Sequence, residues 1–551
     1  DYRKEGHIHL KKKVGLLFAV SALLLMLCGC DEKSGFLQKF TEANNAVNDF
    51  VWVKIGLILL LGTGIIMTCV TKWFQISHIG HWLKNTIGSV FKKHVSGHTK
   101  DQSSISQFQA LCTALAATVG VGNIAGVAAA IVSGGPGAVF WMWVAAFFGM
   151  MTNFSENVLG IYFRRKNAHG EWSGGAMYYL QDGLGGKKGC KTIGKILAAL
   201  FSVFAVLASF GIGNMGQVNK IVANIEAAFE IKVLSGIQLL GVDLYKIILG
   251  FILMLFAALI ILGGIQRIAN FAEKIVPFMV CAFVLLSLVV IGVNFTSIGD
   301  AFAAIFKSAF QPNAAWGGAI GLTVSATITW GFKRGVFSNE AGLGSSVMVH
   351  SNSNVKEPVR QGMWGIFEVF ADTMIVCTMT ALVILTSGVV DLNTGMLAEG
   401  TSGDATLVAK AFDSVFSFGG MNLGSKFIAV AVLLFAFTTV LGWSHYGTKA
   451  WEYLFGTKST FFYKIVFVLM IMSGAVMTSS LAWDVSDTFN GLMMIPNLIG
   501  VLSLSALVFK ITKNYVDRVI KKKDGIRPML SYDEAIQQEQ EAALAAEAEK
   551  E

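Results

Sequence analysis

The sequence predicts an all-α membrane protein of about eleven transmembrane helices, and three observations carry that prediction. Of the 551 residues, 54% are hydrophobic and only 14% charged, too little charge to cover the surface of a soluble protein of this size. Apolar runs of roughly 20 residues, the length needed to cross a hydrocarbon core, recur along the chain. Two of those runs carry glycines and polar groups in mid-span, at residues 117–126 and 327–346.

Read in order, the spans fall near residues 52–73, 108–132, 137–163, 193–222, 246–264, 275–294, 316–337, 363–388, 427–447, 461–481 and 489–510. Ahead of them, Lys11, Lys12 and Lys13 precede an apolar run from Val14 to Leu27 and then Cys28-Gly29-Cys30-Asp31. This is a signal-like leader, too short for a comfortable span. It admits three readings: a cleaved signal peptide, a lipoprotein-like site with Cys30 lipidated, or an uncleaved anchor. The resulting organisation is a leader (1–35), a first helix with a basic loop (36–107), two repeats (108–294 and 295–515) and a charged tail (516–551). Residues 533–551, rich in Asp, Glu, Gln and Ala, are expected to form a solvated, helical tail without a membrane role.

The net charge of +8 does not indicate nucleic acid, because an excess of Lys and Arg marks cytoplasmic loops in a membrane protein. Lys84, Lys92, Lys93 and Lys100 fall between the first two spans, and Arg164, Arg165, Lys166, Lys187 and Lys188 between the third and fourth. Arg267, Lys274, Lys356, Arg360, Lys449 and Lys458 continue the alternation, ending in Arg518, Lys521, Lys522, Lys523 and Arg527. The intervening loops are poor in basic residues, so the N-terminus is expected outside and the C-terminus in the cytoplasm. A bacterial inner membrane is the expected location. The seven cysteines contain no C-x-x-C pair and read as small hydrophobes. His94 and His98 have metal-like spacing but lack a third ligand nearby and read as part of a solvated loop.

Helix-weakening glycines in mid-span are tolerated where backbone lines a cavity or lies buried in protein. Four spans lie between the two interrupted ones, an offset of five, so the second and seventh run in opposite directions. Spans two to six and seven to eleven then form a five-plus-five inverted repeat with one extra N-terminal helix, and paired breaks in such halves mark a transporter's binding site. The breaks are placed at Gly120–Gly126 and at Trp330–Gly335. Freed N–H groups suit a carboxylate and freed carbonyls a small cation. Gly211-Ile212-Gly213-Asn214-Met215-Gly216 spells the dinucleotide fingerprint, but it sits inside a span with no strand before it and is rejected.

Residues 118–128 (TVGVGNIAGVA), 134–143 (GGPGAVFWMW), 174–179 (GGAMYY), 210–214 (FGIGN) and 333–342 (KRGVFSNEAG) resemble the alanine/glycine:cation symporter family. The resemblance runs from about residue 50 to about 515 and is similar in pattern to the wider superfamily with the neurotransmitter:sodium symporter fold. Val121 stands where some relatives carry Thr, and Ala176 where relatives often carry Pro. The resemblance implies that Thr118, Val121, Gly122 and Asn123 meet the substrate, with the Gly122 N–H facing its carboxylate. It adds Gln217 from the scaffold, Trp330 and Gly331 at the second break, and Thr439 and Trp443 on the ninth span, with Trp443 limiting pocket size. It assigns a sodium site to the Thr438 and Thr439 hydroxyls and the carbonyls of Ala116, Val119 and Phe435. Such a set of oxygens without a carboxylate suits a monovalent cation better than Ca²⁺.

The expected activity is therefore secondary active symport of a small neutral amino acid, alanine or glycine, with Na⁺ or H⁺ as co-transported ion. No cofactor, no catalytic residues and no nucleic-acid partner are expected; the partners are the amino acid, the monovalent cation and the lipid bilayer. A passive channel is the alternative, although the charged rings of many cation channels are missing. A membrane enzyme ranks third, since no H-E-x-x-H, nucleophile–base pair or phosphate loop is present. Glu156, Glu368 and Asp372 lie in or near spans, the last two four residues apart on one helix face. They are read as hydrogen-bonding broken-helix backbone rather than as proton carriers. Lys333, Arg334 and Glu340 are expected to form a cytoplasmic gate network, and segments 299–310 and 404–418 to be outer-face or interfacial helices.

Overall fold

The computed structural model describes residues 35–92, 95, 104–229, 237–239, 242–311, 323–477 and 481–548. The leader with Cys28 and Cys30, His94 and His98, and the expected start of the seventh span at 316–322 lie outside the described residues.

Among the described residues, eight helices are long and apolar enough to cross a membrane: Gln38–Val70, Gly137–Tyr162, Lys191–Phe229, Leu244–Ile261, Gly264–Val293, Pro358–Thr386, Leu423–Phe455 and Thr457–Val476. Two bent pairs add a span each, Gln107–Thr118 with Gly122–Gly134 and Asp484–Ser503 with Ser505–Ile520, turning by 54° and 58°. At the expected seventh span stands the 16-residue helix Val324–Asn339, followed after an irregular stretch by Val347–His350. Numbered along the chain these are spans 1 to 11, with the bent pairs as spans 2 and 11 and Val324–Asn339 as span 7. The fold is an all-α, multi-pass membrane architecture.

Local chemistry accounts for several boundaries. Span 2 opens on a reciprocal capping box: Ser106 Oγ accepts from Gln109 N–H (3.1 Å) while Gln109 Oε1 accepts from Ser106 N–H (3.0 Å). Pro358 stands at the first turn of span 8, where a missing N–H costs nothing. Spans 2, 4 and 8 each contain a π-helical turn, at Gly122–Gly126, Gly211–Met215 and Phe370–Cys377, the kind of bulge found at functional sites.

Burial sorts core from periphery. Spans 8 and 9 are 72% buried within the protein, whereas spans 5 and 6 are only 28% and 33% buried. Phe251, Leu255, Phe256, Phe278 and Leu285 on those outer spans are exposed, as an apolar lipid solvent allows. Span 3 packs against spans 7 and 8, and span 9 against spans 2, 4 and 6. The expected outer-face segments form helices at Ile298–Phe310 and Ala405–Asp413.

The tail departs from expectation. Glu534–Ala548 is helical, but it is tethered to the basic-loop side of the protein rather than free in solvent. Tyr532 N–H donates to the Tyr162 carbonyl (2.8 Å), Lys166 Nζ pairs with Glu539 (2.8 Å), and Lys356 Nζ donates to the Ala543 carbonyl (2.8 Å). The charge run reads as solvated in sequence because its basic partners come from spans 3 and 8.

Candidate substrate and cation site

The first break follows from one side chain. Span 2's first half ends at Thr118, and Val119 leaves the helix with φ −75° and ψ 90°. The Gly120 N–H, which a continuous helix would spend on the Ala116 carbonyl, instead donates to Asn123 Oδ1 (2.8 Å). That releases the Ala116 carbonyl from the ladder. Asn123 Nδ2 in turn donates to Asp372 Oδ1 on span 8 (2.6 Å), and Thr380 Oγ1 donates to the Asn123 carbonyl (2.8 Å). The expectation that Asn123 meets substrate is thereby corrected: both ends of its fully buried amide hold the break open.

The second break is not at Trp330–Gly335, which lies within the continuous helix Val324–Asn339. It is at 340–346, where Glu340, Gly342 and Gly344 all have positive φ (56°, 92° and 74°). The two glycines adopt a backbone that side chains resist. Other spans hold the opened chain. Asn497 Nδ2 donates to the Gly342 carbonyl (2.9 Å) and to Glu156, and Glu156 Oε2 faces the Gly342 N–H at 3.5 Å. Glu368 accepts from Asn153 (3.1 Å) and sits 2.9 Å from His350 Nε2. Asp372 accepts from Ser338 Oγ and Thr373 Oγ1, both at 2.8 Å, as well as from Asn123. One carboxylate thus ties the two broken spans together, a role the four-residue spacing of Glu368 and Asp372 only hinted at.

Trp330 and Gly331 consequently face away from the cavity. A Cβ on Gly331 would meet the Ala138 carbonyl at 2.5 Å, and Trp330 lies over Gly134 with the Arg334 guanidinium 5.2 Å from its ring. The glycines flanking Phe332 permit a break, but the chain leaves the helix only after Asn339, where Glu340, Gly342 and Gly344 take positive φ.

Between the breaks lies a cavity lined by Ala117, Thr118, Gly120, Gly122, Ile212, Gln217, Phe337, Glu340, Thr439, Trp443 and Asn490, with about 20 Å³ open to the centre of a water-sized sphere. Thr118, Gly122, Gln217, Thr439 and Trp443 were named from sequence; Val121, Asn123, Trp330 and Gly331 are not among the lining residues. Phe337, Glu340 and Asn490 were missed as wall residues, although the first two stand in the motif at 333–342.

Small residues let the walls approach. A Cβ on Gly442 would lie 2.6 Å from the Ala117 side chain, and one on Gly120 would lie 2.5 Å from Thr439 Oγ1. Thr438 and Thr439 Oγ1 both donate to the Phe435 carbonyl, at 2.9 and 3.0 Å; Thr439 Oγ1 lies beside Gly120 at the first break, whereas Thr438 Oγ1 lies 3.9 Å from Met279 Sδ on span 6. Gln217 Nε2 donates to the Ile212 carbonyl (3.1 Å), which fixes the amide, and its Oε1 is buried without a partner. Trp443 is seated in the gap left by Gly213, whose missing Cβ would sit 2.5 Å from the indole. The rejected dinucleotide-like motif is therefore a bed for this tryptophan.

Lys333 and Arg334 do not share a network with Glu340, and the cytoplasmic gate is corrected. Lys333 Nζ pairs with Asp487 (3.0 Å) and donates to Asn48 (3.0 Å), joining span 7 to the starts of spans 11 and 1. Arg334 stacks near Trp330 and Phe337 and faces Asp484 and Asp487.

Two broken helices enclosing a small cavity, with the Thr439 hydroxyl and a released carbonyl at the first break, suit ion-coupled transport of a small polar solute. Comparison with known proteins decides the matter: the profile described as the sodium:alanine symporter family matches residues 37–529. The chain belongs to that family. Sodium/alanine symporter AgcS of Methanococcus maripaludis is 44% identical over 476 residues, 86% of this chain and 97% of the relative. Probable sodium/glutamine symporter GlnT of Bacillus subtilis is 36% identical, covering 88% and 92% of the two chains. Among solved structures, MhsT in complex with L-phenylalanine superposes with a TM-score of 0.48 at 11% identity, covering 75% of this chain and 99% of that one. The protein is thus a cation-coupled amino-acid symporter of the membrane and not an enzyme, and the passive-channel alternative gives way.

Proposed function

We propose that the protein imports alanine or glycine together with Na⁺ by alternating access across the bacterial inner membrane. The observation that carries this reading is the size and chemistry of the cavity at the first break. With about 20 Å³ open to a water-sized sphere and Trp443 as one wall, it suits a side chain no larger than methyl. Thr118 and the backbone at Gly122 take the substrate carboxylate, as freed N–H groups at a broken helix do. Na⁺ is held by Thr438, Thr439 and the carbonyls of Ala116, Val119 and Phe435; the departure of the Gly120 N–H from Ala116 supports that assignment. No further cofactor takes part. The basic loops face the cytoplasm, with the N-terminus outside. The Lys333–Asp487 pair then lies on the outer side of the cavity and the tethered tail on the inner side.

The test is uptake of radiolabelled amino acids into proteoliposomes with and without an inward Na⁺ gradient. Saturable alanine or glycine uptake driven by the gradient is expected. Uptake indifferent to Na⁺, or preference for a larger side chain, refutes the reading.

A further inference from the structure

Among the lining residues of the cavity, Glu340 is the one ionisable side chain. It is buried, with 4% of its surface exposed, yet among the described residues no Lys, Arg or His forms an ion pair with it. The cationic groups on the preceding helix, Lys333 and Arg334, face Asp487 and Asp484 instead. Among the described residues Glu340 accepts two hydrogen bonds, from Trp443 Nε1 (2.9 Å) and Ser345 Oγ (2.5 Å), and an ionised carboxylate has about four acceptor sites. A buried charge held by neutral donors alone is costly unless a cation joins it.

A second acceptor shares the cavity. Gln217 Oε1 is buried without a partner, and the hydrogen bond from Gln217 Nε2 to the Ile212 carbonyl keeps that oxygen from being exchanged for a donor. The cavity therefore offers one carboxylate and two neutral acceptors, Gln217 Oε1 and Asn490 Oδ1, and both neutral oxygens are buried without a donor. An ammonium, with one positive charge and three donors, is the complementary group.

We propose that Glu340 is the counter-charge for the α-ammonium of the transported amino acid, with Gln217 Oε1 as the second acceptor, so that the protein selects substrates by their free cationic amine. This rests on the proposed amino-acid symport and adds the element of recognition that the broken-helix backbone does not supply. Substrate binding completes the environment of Glu340, and N-acylated or amine-free analogues leave the carboxylate unpaired. Discrimination by an unpaired buried polar group is large.

The experiment uses the full chain in proteoliposomes. Alanine uptake at saturating Na⁺ is competed with propionate, which lacks the amine, and with N-acetylalanine, in the native protein, Glu340→Gln and Glu340→Asp. For the native protein both analogues are expected to compete at least roughly 100-fold more weakly than alanine. Glu340→Gln is expected to raise the alanine KM by roughly 10-fold to 100-fold, the loss of a charge-assisted hydrogen bond, and to shrink the preference for alanine over propionate by a similar factor. Glu340→Asp is expected to keep that preference at a reduced rate. An unchanged alanine KM in Glu340→Gln overturns the proposal. So does a raised KM with the alanine-to-propionate ratio intact, which marks a merely structural role through Ser345 and Trp443. If Glu340→Gln does not fold, effective competition by propionate in the native protein overturns the proposal alone. Failure of the native protein to take up alanine with Na⁺ is a different result and counts against the proposed function instead.

Discussion

Gly213→Ala isolates the contact that sizes the cavity. The added Cβ would lie 2.5 Å from both Cβ and Cγ of Trp443 and 2.7 Å from Cδ2. Carbon atoms pack comfortably at ~3.5–4.0 Å, so the indole must move by about 1 Å. Gly213 stands next to Ile212, which lines the cavity together with Trp443, so the displaced indole changes the shape of the substrate space. Overpacking of this kind costs ~1–3 kcal/mol, and a displaced indole strains the 2.9 Å bond to Glu340. The space removed corresponds to a methyl group, for which discrimination runs about 10-fold to 200-fold. Alanine uptake in proteoliposomes should show a KM raised at least about tenfold, while glycine, lacking the methyl, is affected less. Adding Trp443→Phe should restore part of the alanine affinity, giving a favourable coupling in a double-mutant cycle. A Gly213→Ala protein with the native alanine KM and the native alanine-to-glycine ratio would refute the assignment of Trp443 as the size-setting wall.

Asp372→Ala should destabilise the protein by about 2–5 kcal/mol, because it strands the buried donors of Asn123, Ser338 and Thr373; thermal unfolding in detergent reads this, and Asp372→Asn should fall less. Thr439→Ala removes a hydroxyl whose own hydrogen bond is only a back-bond to Phe435, so melting should change little while the Na⁺ concentration for half-maximal uptake rises. Unchanged Na⁺ dependence removes Thr439 from the cation site. Trp443→Ala should admit larger neutral side chains, and a competition panel with the native ranking counts against it.

Much of the candidate site was legible because its signals are local. Gly120, Gly122 and Gly126 weaken a helix wherever they stand, and Thr438, Thr439 and Trp443 occupy one turn of a helix facing that break. The glycines around Phe332 misled the placement of the second break, because a glycine permits a bend without causing one. The bend is made where Gly342 and Gly344 take positive φ and where Glu156 and Asn497, from spans 3 and 11, accept and donate to the opened backbone. Similarly, Asn123 has the chemistry of a ligand residue, and only the position of Asp372 shows that its amide is already engaged.

The sequence by itself determined the all-α membrane class and the location of the first broken helix, since apolar length and helix-weakening residues act within a single segment. Tertiary structure decided where the second helix opens, which polar side chains face the cavity and which brace the breaks. It also gave Lys333 its partner on span 11 and tethered the acidic tail to loops of spans 3 and 8. These are pairings between segments far apart in the chain, and in a low-dielectric interior a polar group's role is set by the partner it reaches.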